Sequence, residues 1–251
     1  MNSRTDSMPT STDTPFLVVI SLGALLSTIG FLLSFLSAPL VLGAKVQVPA
    51  LVADRMLTNK LLLSQKIFYF HVPVALVSFV ALGFGAFFGL RFLSKRQALD
   101  DLKSRVGLEV SLAFILMTMA SGEMWTRYEW GVWWTWEPRL TTYLVLLLLV
   151  FAYFVLRAAI DDPERQAVFA SVFAIIAFVD APISLLVTRL IPSSVHPVIF
   201  RSDSGLPPSM LVPFICSLAG ICLLAFGLYR YRLFEQGLRI KLDELKNRLN
   251  D

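Results

Sequence analysis

The chain has 251 residues, is 56% hydrophobic and only 16% charged, and carries a formal net charge of +4. Soluble domains are nearer half apolar and a quarter charged, and here the apolar excess is gathered in blocks long enough to cross a bilayer, about 20 residues each. A soluble globular domain is therefore excluded, and the positive balance marks cytoplasmic loops rather than nucleic-acid binding.

Residues 1–15, rich in Ser, Thr and Pro, are expected to be a disordered N-terminal segment. The uncharged run Phe16–Leu42 is much longer than the roughly 7–15 apolar residues of a signal peptide, so it predicts a retained first helix. Five more apolar runs follow, at about Ile67–Leu90, Val106–Met124, Leu140–Leu156, Ala167–Thr188 and Met210–Tyr229. The expected fold class is all-α: a polytopic membrane protein, with a six-helix transmembrane bundle forming one domain over 16–232. Asp180 interrupts the fifth run; a carboxylate is costly in lipid and should face the bundle interior or water. Cys216 and Cys222 lie in the sixth run, form neither C-x-x-C nor C-x-x-C-H, and read as small buried hydrophobes. In the tail, 233–251, Leu238, Leu242, Leu245 and Leu249 stand at 4-3-4 spacing, an amphipathic stripe that lies against a partner, the membrane surface or solvent.

Loop charge sets the orientation. Arg91, Lys95, Arg96, Lys103, Arg105, Arg157, Arg165 and the basic residues after Tyr229 fall on one side. They outweigh those on the other, so the chain is expected N-in, C-in. The first outer loop is itself basic, with Lys45, Arg55, Lys60 and Lys66, and is a candidate partner contact.

All five tryptophans fall in one stretch, "SGEMWTRYEWGVWWTWEPRLTT", which joins the third and fourth helices. The two histidines, His71 and His196, are placed by helix count on the same face as this loop. An aromatic belt would put Trp at both interfaces and on several helices. Here Gly131 lets the backbone turn and Pro138 restricts it afterwards, so the loop is expected to form a broad apolar platform for a large flat ligand. Arg127 and Arg139 could pair with carboxylates at the ligand's edge, and two imidazoles could ligate a metal from opposite faces. A flat macrocycle with carboxylates and a central metal fits; quinones, sugars and lipids also bind Trp platforms.

"WGVWWTWEPRLTT" resembles the tryptophan-rich signature W-G-x-W-W-x-W-D-x-R-L-T of the heme exporter protein C family, a six-helix group of cytochrome c biogenesis. "HVP" at 71–73 is similar to that family's first heme-ligand region, and Asp180 through Arg189 to His196 and Pro197 to its second. The resemblance runs from the second helix to the loop before the sixth. It implies a protein of the bacterial cytoplasmic (inner) membrane, not an enzyme. Such a protein holds heme b transiently and without a covalent bond at the outer face. It implies His71 and His196 as axial ligands under Trp130, Trp133, Trp134 and Trp136, with Trp125 at the margin and Arg127, Glu137 and Arg139 at the site. It also implies delivery to a periplasmic heme chaperone, with ATP-binding-cassette transporter subunits and a small helper membrane protein as partners. Glu137 stands where the signature has Asp, and Glu123 is an unexpected charge beside Met124 and Trp125. The alternatives are a cytochrome b-type electron-transfer subunit and a small-molecule transporter with a Trp gate.

Overall fold

The computed structural model describes residues 15–38, 55–191 and 206–250, of which 55–64 and 250 as backbone alone. Each of the six apolar runs becomes a helix: α1 Pro15–Leu36, α2 Arg55–Lys95, α3 Ala98–Glu129, α4 Pro138–Ala159, α5 Pro163–Leu190 and α6 Pro208–Asn250. All six are long and apolar enough to cross a membrane, and the described residues contain no strand.

The boundaries depart from the hydropathy pattern in a consistent way. α2, α3 and α6 run well past their apolar cores, because hydropathy marks only the length within lipid while the helix continues wherever the backbone stays hydrogen-bonded. α6 passes through Tyr229 without a break and reaches Asn250. Only α1 stops short: it ends at Leu36 rather than Leu42, with the Ser37 N–H closing on Leu33 O at 2.8 Å.

Local chemistry sets the turns. Between α2 and α3 the chain reverses at Arg96, whose positive φ of 54° is the left-handed conformation that ends many helices. α4 and α5 each open on a proline just inside the helix, after the acidic caps Glu137 and Asp162.

In lipid, helices associate through close packing and hydrogen bonds rather than a hydrophobic drive. α1 meets α6 backbone to backbone: a Cβ on Gly220 would stand 2.2 Å from Ser27 N, and one on Gly30 2.4 Å from Ser217 N. α5 presents Ala170, Ala174, Ala177 and Ala181 to a core of Phe79, Leu82, Ile115, Tyr143, Leu146 and Tyr153. Ser78 links three helices, meeting the Tyr143 hydroxyl at 2.8 Å and accepting at its carbonyl from Ser111 Oγ at 3.0 Å. Large apolar side chains such as Phe84, Phe87, Leu148 and Val155 are exposed outward, as a lipid-facing surface requires. Cys222 belongs to this surface and is exposed rather than buried.

Charge gathers at one end of the bundle. Arg157 of α4 clasps Asp101 of α3 through two bonds of 2.7 and 2.8 Å. Arg91 of α2 donates to buried Asp100 at 3.0 Å. The α3–α4 connection, with the tryptophans, lies at the opposite end.

The expected basic outer loop is corrected in part. Lys66 is 2% exposed and belongs to α2, not to a loop. Its ammonium donates to the carbonyls of Ser34 and Ala38 at the end of α1. An apolar environment forces that cation to satisfy exposed helix-end carbonyls, so it is not available to a partner. Arg55 and Lys60 also fall on α2, while Lys45 lies outside the described residues.

Candidate ligand site under the tryptophan loop

α3 ends with Glu129; the Trp130 N–H closes on Thr126 O at 2.8 Å, and Gly131 follows at φ +78°. That left-handed residue is what an L side chain resists, and it turns the chain into the loop. Three anchors hold the loop down. Thr126 Oγ1 donates to Trp133 O at 2.8 Å. The Arg127 guanidinium bonds Gly131 O and lies over the Trp133 ring, 5.8 Å from its centre. At the far end the Glu137 carboxylate accepts from the N–H groups of Arg139 at 2.9 Å and Leu140 at 3.3 Å.

The aromatic rings do not form one flat platform. Trp125 and Trp130 meet edge-to-face at 5.1 Å and 76°, and Trp134 and Trp136 at 5.7 Å and 85°. Edge-to-face contact aligns the positive ring edge with the negative face of its neighbour, so it is preferred to a sandwich. Trp133 and Trp136 are 58% and 76% exposed.

Beneath the loop lies a cavity of about 140 Å³ between α2, α3 and α4. Trp125 and Trp134 wall it on the loop side; His71, Arg139, Glu123, Thr118 and Tyr143 supply its polar atoms, and Phe68, Val72, Phe79, Met119 and Leu140 its apolar wall. Of the residues singled out in the sequence, the fold thus brings together His71, Glu123, Trp125, Trp134 and Arg139. Trp130, Trp133 and Trp136 are not among the residues that line the cavity, Arg127 braces the loop, and Glu137 caps α4. His196 lies outside the described residues.

His71 is not at the tip of α2, since the helix starts at Arg55. It faces Ser121 and Gly122 of α3, about 12 Å below that helix's end at 1.5 Å per residue. Its Nδ1 is 2.9 Å from Ser121 Oγ. Ser121 has carbonyl acceptors of its own at 2.8 Å (Met117) and 3.2 Å (Thr118). With its hydrogen directed to them, the hydroxyl accepts from a protonated Nδ1. That tautomer leaves the Nε2 lone pair free, the arrangement of a metal-binding histidine whose other nitrogen is held by a partner. Gly122 completes the fit: a Cβ there would stand 3.1 Å from His71 Cε1. Pro73, two residues on, cannot donate to the carbonyl of Tyr69.

The Arg139 guanidinium borders the cavity, with the Glu137 carboxylate and the Tyr143 hydroxyl as its nearby electrostatic partners. A half-buried cation so placed suits an anionic edge of a ligand. The lining is apolar with a few convergent polar groups, as small-molecule sites are.

A family model described as heme exporter protein C matches residues 32–247. The chain belongs to the heme exporter protein C family. Similar proteins bearing that family name include one from Bradyrhizobium diazoefficiens, 28% identical over 72% of this chain and 70% of its own. Others are from Rhodobacter capsulatus, 26% identical over 73% and 78%, and Escherichia coli K12, 29% identical over 68% and 69%. The matched span of the heme exporter protein C model takes in the end of α1, α2 to α5, the tryptophan loop and α6 as far as residue 247.

Sequence reasoning missed Ser121, Gly122, Thr118 and Tyr143. One signal existed for Tyr143, which follows Arg139 by four residues and so shares its helix face.

Proposed function

We propose that this chain is a heme-handling component of cytochrome c biogenesis. It holds heme at the outer face of the bacterial inner membrane and presents it to a periplasmic heme chaperone, beside an ATP-binding-cassette exporter. Heme is cargo in this reading, bound transiently and without a covalent bond, and the chain catalyses no bond chemistry. His71 offers Nε2 to one face of the iron and His196 to the other. A porphyrin already fills the four equatorial positions, so two imidazoles complete the shell. Arg139 pairs with a propionate, Trp125 and Trp134 line the ring's edge, and the exposed Trp133 and Trp136 face the incoming chaperone.

One observation carries the reading: an imidazole whose Nδ1 is held by Ser121, in a cavity walled by Trp125, Trp134 and Arg139. The decisive experiment is absorption spectroscopy of the purified protein, oxidised and reduced, after heme-replete expression. A low-spin bis-histidine spectrum is expected, lost or turned high-spin in His71→Ala and in His196→Ala. A heme-free wild type, or spectra unchanged in both variants, overturns the reading. Rapid reduction of the bound heme by a quinol would favour a cytochrome b-type role instead.

A further inference from the structure

α6 is 43 residues long, about 64 Å at 1.5 Å per residue, whereas the hydrocarbon core is about 30 Å thick. Its contacts with the bundle end abruptly. Arg232 pairs with Glu109 of α3 at 2.7 Å. Phe16, near the start of α1, touches Tyr231 and Phe234, each at 5.5 Å between ring centres. After Gly237, every residue from Leu238 to Leu249 is exposed. The helix continues without a break, so this stretch stands off the charged end of the bundle instead of folding down along it.

The exposed stretch is sharply patterned. Leu238, Leu242, Leu245 and Leu249 are 45%, 55%, 56% and 85% exposed. At 100° per residue they fall within an arc of about 60°, as the d, a, d and a positions of a heptad repeat. The positions flanking that seam, e and g, are Arg239, Lys241, Lys246 and Arg248, all basic. The acidic residues, Asp243 and Glu244, fall on the outer b and c positions.

We propose that this stretch is a docking seam for an amphipathic helix of a partner protein, one with apolar a and d positions and acidic e and g positions. Charge selects that occupant. A second copy of this chain, held in the same membrane, would present its tail in parallel. That would set Lys241 against Lys246 of the copy, and like charges at e and g oppose pairing. A lipid surface would require the stripe to lie in the membrane plane, and the unbroken α6 holds it away. Residues 1–14 carry only Met1 and Met8 as large apolar side chains, too few to cover four leucines. The seam is short, so it suits a partner already confined to the same membrane, where effective concentration replaces intrinsic affinity.

The test uses the full chain in phosphatidylcholine vesicles. It is co-reconstituted with a probe helix on a single transmembrane anchor, with Leu at a and d and Glu at e and g. Energy transfer between dyes at the end of α6 and on the probe reports docking. Transfer is expected with the acidic probe, lost with a Lys probe, and lost in Leu242→Asp/Leu245→Asp, whose positions are exposed and leave the bundle intact. Reversing Arg239, Lys241, Lys246 and Arg248 to Glu should exchange the preference to the Lys probe. Equal transfer to both probes, or to neither, overturns the proposal. So does a homodimer that dissociates in the leucine variant, or a tail shielded from protease by adding phosphatidylglycerol.

Discussion

The decisive residues around His71 are small ones. Ser121 holds one ring nitrogen and Gly122 leaves the ring room. Ser121→Ala should keep the fold, since Ser121 sits mid-helix and alanine is the better helix former. It frees the imidazole to change tautomer, so bound heme should show weakened or heterogeneous axial ligation in its absorption spectrum. Gly122→Val should act more strongly by pressing on Cε1, with heme retention through purification as the measure. Arg139→Ala should lower retention while leaving the low-spin spectrum of whatever heme remains, because it acts at the ligand's edge and not on the iron.

Elements impose their own demands. The signature's Asp is replaced by Glu137, which still caps the α4 N-terminus through one carboxylate oxygen. Aspartate is among the preferred caps, so Glu137→Asp should preserve thermal stability. Glu137→Ala should cost about 1 kcal/mol and loosen the loop that the cap anchors. α1 and α6 touch at glycines, and a Gly220→Leu side chain would have to occupy the place of the Ser27 backbone. Separation of the two helices is expected, read as loss of a monodisperse peak in detergent, while Gly131→Ala strains only the loop. At the opposite end, Asp101→Asn leaves Arg157 without its carboxylate in a largely buried site. Breaking such a pair costs about 3–5 kcal/mol, visible as a lower melting temperature.

At the scale of the whole molecule, the bundle is polarised. One end is tied by ion pairs of α2, α3 and α4, and the other carries the loop and cavity. Heme that binds only the folded site should stabilise the protein by mass action, about 2.7 kcal/mol at a hundredfold excess over Kd. The wild type should therefore melt at a higher temperature with added heme, and His71→Ala should not. An equal shift in both would mean that heme binds elsewhere.

The amino-acid sequence by itself determined the six spans, the all-helical class and the gathering of every tryptophan into one loop. These are demands of composition and local backbone chemistry. Lipid admits only helices or barrels, Gly131 supplies the turn, and a signature as dense as "WGVWWTWEPRLTT" reads without a fold. The tertiary structure alone decided which tryptophans wall the cavity, that Lys66 is sealed against the end of α1, and that Ser121 and Gly122 meet His71. Ser121 and His71 are 50 residues apart, and their meeting depends on the rotation and register of two packed helices. Rotating either helix by one residue, about 100°, would bring other side chains to that contact while leaving hydropathy unchanged.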